Sequence, residues 1–259
     1  MKKFWGFLLV IVLMTSCGEY QSLLKSNDYN LVYKKAIEYY NKGDYQRAMN
    51  LLDGVRSVFV GQAKAQNIAY YRAFCSYNMK DYQIASDLFK QFIQTYPESS
   101  FAEECLYMMG FCDYKASPKP RLDQQVTEKA IREFQLYLSR YPYSMRKDKV
   151  NTYMDEMRDK LSYKAYLSAK NYYLREHYKA AVISLQNCLK DYPGSKYREE
   201  IMYMLFVSKY QMAVNSVEDK KVERYNNARE EYYYFADEYP NSRYAADVKK
   251  MYEDIEAYL

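Results

Sequence analysis

Few side chains in this sequence are equipped for catalysis. One histidine, His177, serves the whole chain, so neither a Ser-His-Asp nor a Cys-His arrangement for nucleophilic attack can be assembled. The cysteines beyond residue 17 are Cys75, Cys105, Cys112 and Cys188; none forms a C-x-x-C unit, which argues against a zinc site. Cys105 and Cys112 lie two helical turns apart, roughly 10 Å along a helix axis, too far to bridge. Cys75 paired with either of them stays open as an alternative to buried free thiols. Glycine-rich phosphate loops are absent, and the carboxylates fall at solvent-facing helical positions without a common pocket. The expectation is a non-enzyme with no metal or soluble cofactor, and His177 is read as an exposed turn residue.

What recurs instead is tyrosine, 34 in all. Pairs seven residues apart occur five times, at Tyr33/Tyr40, Tyr70/Tyr77, Tyr107/Tyr114, Tyr166/Tyr173 and Tyr203/Tyr210. The first three pairs follow one another at 37 residues, as do the last two. Seven residues are two helical turns, so each pair occupies one stripe of one helix. A fixed period of this length marks a solenoid of helical hairpins, a scaffold that binds other molecules. Ile37, Phe74 and Phe111 lie between the paired rings, and Asn30/Asn67 and Asn41/Asn78 repeat beside them. Rings that bury side chains, flanked by amides that pair with backbone groups, suit an extended peptide. The candidate binding residues are Tyr33, Tyr40, Asn67, Tyr70, Phe74, Tyr77, Asn78, Tyr107, Phe111 and Tyr114. The competing reading is that these rings only pack one hairpin against the next.

The elements that position the pairs follow from a second periodic set. Ala48, Ala85, Ala130, Ala181 and Ala228 are each followed at four and seven residues by an apolar or aromatic residue, the stripe of a second helix. Tyr96, Tyr141, Tyr192 and Tyr239 then precede Pro97, Pro142, Pro193 and Pro240, which disfavour helix in the residue before them. Ser99, Ser144, Ser195 and Ser242 are placed to cap the next helix, and Ser100 with Glu103 reads as a capping box. Small residues Ala36, Ala73, Gly110 and Ala169 allow close helix approach, and Gly43 suits a tight hairpin turn needing positive φ. These residues resemble the tetratricopeptide repeat over Tyr29 to about Tyr258. The resemblance implies an all-α, right-handed superhelix (α-solenoid) of about five hairpins. Residues 115–127 and about 214–226 read as lengthened turns, and the fourth repeat's first helix is expected from about Met145 to Arg175.

The N-terminus reads as processing signal. Lys2 and Lys3 precede an apolar run from Phe4 to Met14, far short of the roughly 20 residues that span a bilayer. Leu13-Met14-Thr15-Ser16-Cys17 resembles the lipobox of bacterial lipoproteins, which implies a covalent lipid on Cys17 after removal of residues 1–16. Gly18 after the cysteine favours the outer membrane by the sorting rule. Of the formal charge of +5, two units come from Lys2 and Lys3, leaving +3. The charges are interspersed, with no basic stripe for nucleic acid.

A lipobox followed by five such repeats resembles the BamD family, the lipoprotein subunits of the outer-membrane β-barrel assembly machinery. Ser117-Pro118-Lys119-Pro120-Arg121-Leu122-Asp123 leading to Ala130, Tyr141-Pro142-Tyr143-Ser144, and Leu161 through Tyr173 to Pro193 carry the resemblance. It implies a chain facing the periplasm, with a linker at 17–28 and repeats at 29–142 that receive the aromatic-ended C-terminal segment of unfolded outer-membrane proteins. An extension at 143–162 would join these to repeats at 163–259 that hold a BamA-like barrel protein, with no small-molecule substrate. Alternatives are another periplasmic repeat scaffold for envelope growth and division or for pilus or secretion assembly, or a repeat-based glycan-binding lipoprotein.

Overall fold

A computed structural model describes residues 18–259, in which every regular element is an α-helix. The signal segment 1–16 and the lipidation site Cys17 lie outside the described residues. A short helix α1 (18–24) leads into five antiparallel hairpins of tetratricopeptide type. These are α2 (Tyr29–Asn41) with α3 (Tyr45–Val55), α4 (Lys64–Asn78) with α5 (Tyr82–Thr95), and α6 (Ala102–Ala116) with α7 (Gln125–Arg140). α8 (Lys147–Leu174) with α9 (Tyr178–Asp191) and α10 (Arg198–Val214) with α11 (Glu218–Glu238) complete the set, and α12 (Ala245–Tyr258) closes the chain. The chain forms two compact units, one running to Pro118 and including Gln124–Met154, the other comprising Lys119–Asp123 and Asp155–Leu259.

The second-helix stripe forms the core. Ala48, Ala85, Ala130, Ala181 and Ala228 are fully buried, together with Leu52, Phe89, Phe134 and Leu185 four residues on. Burial of each of these Leu and Phe side chains contributes about 1.5–3 kcal/mol. The small position on the first helix is required by contact: a Cβ on Gly110 would stand 2.9 Å from the Phe134 ring. Phe206 occupies that position in the fifth repeat, also fully buried.

The turns are more uniform than their sequences. In the first hairpin the Asp44 N–H reaches the Tyr39 carbonyl and the Gly43 N–H the Tyr40 carbonyl, with Gly43 at φ 81°. The same two bonds recur at Asp81/Lys80 and His177/Glu176, so Lys80 (φ 68°) and Glu176 (φ 58°) take the left-handed conformation without being glycine. Before each proline the helix stops as expected: the N–H of Tyr96, Tyr141, Tyr192 and Tyr239 makes the last bond, to the carbonyl four residues back.

Four expectations need correction. The serines of Tyr-Pro-x-Ser do not cap helices; they accept from the N–H two residues on (3.2 Å at Phe101, 3.2 Å at Arg146, 3.3 Å at Tyr197, 3.0 Å at Tyr244). No Ser100–Glu103 capping box forms, because α6 begins at Ala102 after Phe101. The segment 214–226 is not a long turn: only 215–217 connect α10 to α11, and Glu218 and Asp219 start a 21-residue helix. Acidic residues at an N-terminus suit the helix dipole, and the segment holds no Gly or Pro to stop it. The lengthened turn expected within 115–127 is present, at 117–124. Residues 18–28 are not a free linker, since Tyr20 and Leu23 of α1 are buried against the first hairpin. The long first helix of the fourth repeat is present as the 28-residue α8, and the four cysteines are free and buried.

Candidate functional site

All five tyrosine pairs lie on first helices, α2, α4, α6, α8 and α10. In the first unit their rings connect into a run. Tyr40 meets Tyr71 (centroids 4.9 Å apart) and Tyr71 meets Tyr70 (5.5 Å). Tyr70 then packs on Phe74 (4.6 Å), Phe74 on Tyr77 (6.4 Å) and Tyr77 on Phe111 (6.2 Å). Phe111 joins Tyr107 (5.7 Å) and Tyr114 (5.9 Å). Tyr33 stands outside this run, against Phe59 (6.1 Å) and beneath the Lys64 ammonium (5.6 Å). Tyr107 is buried, and the other rings of the candidate set are half-buried, Tyr70 and Phe111 each touching four neighbouring rings. Aromatic pairs at these separations add about 0.5–1.5 kcal/mol beyond burial.

The hydroxyls tie repeat to repeat. Tyr70 donates to Glu104 of the next first helix (2.8 Å), and Tyr166 to Glu200 (2.9 Å), each 34 residues downstream. Both carboxylates stand three residues before the next repeat's first paired tyrosine. Asn67 holds that position one repeat earlier and Asn30 the one before, where Asn30 accepts from Lys64 (2.5 Å). Asn78 donates to the Phe74 carbonyl (2.9 Å) and to the Tyr40 hydroxyl (3.5 Å), so its amide nitrogen is already occupied. The Tyr-Pro-x-Ser serines add a second clasp: Ser99 donates to Gln66 (2.9 Å), Ser144 to Glu103 (2.7 Å) and Ser242 to Glu199 (2.6 Å), while Ser162 donates to Ser195 (2.8 Å).

Burial keeps the phenols neutral. It pushes Tyr40 up to about 12 and raises Tyr70 further, with the Glu104 carboxylate adding to the effect. Tyr77 is raised by burial, and Tyr107 by burial and then by Tyr153. Burial likewise pushes Cys75 and Cys105 to about 12 and Cys188 to about 11, which makes these thiols poor nucleophiles. Among the described residues no group of His, Cys, Asp and Glu could hold a metal ion.

Two participants were missed in the sequence. Tyr71 bridges the first and second repeats and has no counterpart in the pairs. Tyr153, in the segment read as a helix extension, packs on Tyr114 (4.5 Å) and Phe111 (5.5 Å) and prolongs the aromatic face. Its position 13 residues before Tyr166 is not part of the repeat, so periodicity carries no signal for it.

A model of the YfiO family, described as an outer membrane lipoprotein, matches residues 25–200 and 165–259. No curated protein matches the chain. Among solved structures, the TPR2AB-domain:pHSP90 complex of yeast Sti1 aligns at 14% identity over 88% of this chain and 98% of that one, with a TM-score of 0.40. A TPR repeats protein (BF2334) from Bacteroides fragilis aligns at 13% identity over 90% and 100%, with a TM-score of 0.43.

Proposed function

Because the chain belongs to the YfiO family of outer membrane lipoproteins, the family of BamD, we propose that it is the lipoprotein subunit of a machinery that inserts β-barrels into the outer membrane. Cys17 carries the lipid and the chain faces the periplasm. Residues 29–142 receive the C-terminal segment of an unfolded barrel protein, and residues 163–259 hold a BamA-like subunit. The observation that carries the client role is the half-buried aromatic run from Tyr40 to Tyr114 on α2, α4 and α6, extended by Tyr153. Its rings offer wide apolar contact at low entropic cost, which suits a strand ending in an aromatic residue.

The seat of α1 supports close anchoring. Tyr20 packs on Tyr39 (5.9 Å), accepts from the Asn50 amide (3.0 Å) and lies under the Arg47 guanidinium (5.3 Å), while Glu19 pairs with Lys35 (2.9 Å). A lipid on Cys17 would therefore begin within a few residues' reach of the first hairpin, at about 3.5 Å per residue.

Solubilising membranes, purifying the tagged protein and identifying its companions tests the reading. A BamA-like barrel protein is expected to co-purify, and depletion is expected to leave barrel proteins unassembled. Division, pilus or secretion components in its place, with barrels assembling normally, would overturn it.

A further inference from the structure

The fourth repeat breaks a rule that the other four obey. Two residues before the first paired tyrosine stand Leu31, Ile68, Cys105 and Ile201 in the other repeats, and four residues after it stand Ile37, Phe74, Phe111 and Val207. In the fourth repeat these apolar positions are Lys164 and Lys170. Such a local violation in an array built by repetition marks a site selected for something other than packing. Both lysines line one cavity of about 570 Å³ within the second unit, and Arg121 of the segment Lys119–Asp123 lines it too. That volume falls in the range of ligand sites, about 300–1,000 Å³.

The lining is cationic and apolar together. Tyr163, Leu167 and Leu174 supply walls, and no acidic residue lines the cavity. Tyr163 and Tyr166 are held in place by stacking on Tyr197 (5.2 and 4.4 Å). Lys170 is already served by Glu200 (2.7 Å). Lys164 donates only to the neutral Leu122 carbonyl (2.9 Å), which fastens the Arg121-bearing segment to α8. Among the described residues no carboxylate forms an ion pair with Arg121 or Lys164.

We infer that this cavity is a binding site for an acidic peptide segment of a partner protein, carrying at least two carboxylates between apolar side chains. Two cations stand uncompensated, Arg121 on the segment and Lys164 on the helix, while Lys170 is neutralised by Glu200. One terminal carboxylate cannot neutralise both. The apolar walls take the intervening side chains, and charge complementarity sets orientation and on-rate. The site is separate from the aromatic run of the first unit and stands whichever protein supplies the acidic segment.

Fluorescence anisotropy on the folded chain tests this with three labelled peptides: alternating Glu and Leu with an amidated end, the same with Gln for Glu, and the Gln form with a free C-terminal carboxylate. The Glu peptide is expected to bind, more weakly as ionic strength rises toward about 0.15 M. The other two are expected not to. Arg121→Glu/Lys164→Glu should weaken the Glu peptide by about tenfold or more, some 1.4 kcal/mol. Arg121→Glu alone, which leaves the Lys164 tie intact, should weaken it in the same direction. Lys249→Glu/Lys250→Glu on α12, matched in charge change, should leave binding unaltered. Absence of Glu-peptide binding, equal binding of the Gln peptide or of the free-carboxylate form, equal loss in the α12 variant, or unchanged affinity in Arg121→Glu/Lys164→Glu would each overturn the assignment. An aromatic-ended peptide titrated against the same variants should bind unchanged, which separates failure of this site from failure of the client face.

Discussion

At the residue scale the paired tyrosines have a packing role that substitutions can separate from the proposed client role. The hydroxyls of Tyr70 and Tyr166 are structural, each donating to a carboxylate of the next repeat. Tyr70→Phe and Tyr166→Phe keep the rings and lose that bond, so each should destabilise the chain by about 1–2 kcal/mol in denaturant melts. A second residue carries a pH dependence. Glu133 of α7 is buried beside Asp113 of α6, and its Oε2 atom has no partner. Asp113 accepts from Ser86 (2.9 Å) and pairs with Lys129 (2.9 Å), which stands 3.7 Å from Glu133; Asp87 and Lys90 face the group from α5. Burial first, then Asp113, pushes the Glu133 carboxyl from 4.5 to about 8. Between those values the folded state holds a proton that the unfolded chain has released, so stability falls as pH rises through that window and is flat above it. Glu133→Gln should remove this slope, at most about 1.4 kcal/mol per pH unit, and melts across the window should show the two proteins diverging as pH rises. Parallel curves would mean that Glu133 ionises normally.

At the element scale the repeats were legible wherever periodicity recorded a packing rule, and illegible where a side chain acted outside it. The fully buried alanines, the stops before proline and the small position facing Phe134 all follow from shape, which spacing encodes. The serines stand two residues before the N-caps Phe101, Tyr197 and Tyr244, and an N-cap serine and a turn serine two residues earlier look alike in sequence. Residues 218–226 carry neither Gly nor Pro nor a repeat position, so spacing alone does not distinguish helix from turn there. Lys80 and Glu176 mark a cost the sequence hides: a left-handed residue other than glycine is strained by about 1–2 kcal/mol. Lys80→Gly and Glu176→Gly are therefore expected to stabilise the chain by roughly 0.5–1 kcal/mol, the gain being reduced by glycine's greater unfolded freedom. Gly110→Ala should go the other way, by about 1–3 kcal/mol, since its Cβ would press on the Phe134 ring. A thermal melt ranks the three variants directly.

At the scale of the whole molecule, repetition supplies a scaffold, and the proposed specificity rests on what individual repeats place upon it. The first unit concentrates half-buried rings on its first helices, while the fourth repeat exchanges two apolar positions for lysines. Family membership says what kind of protein this is, and the aromatic run is the surface proposed for a client. The candidate site was visible in the sequence as a stripe of rings. The bonds its hydroxyls make were not, because the partners Glu104 and Glu200 lie a full repeat away and no spacing within one helix reveals them. Tyr77 is the residue that separates gripping a client from packing a neighbour, since it lies in the middle of the run between Phe74 and Phe111. The most direct test is the affinity of a peptide ending in an aromatic residue for the wild type, Tyr70→Phe and Tyr77→Ala, each checked as folded by its melt. The account predicts wild-type affinity for Tyr70→Phe and a loss of about tenfold or more for Tyr77→Ala, some 1.4 kcal/mol. Equal affinity in all three proteins would contradict it and leave the rings as packing alone.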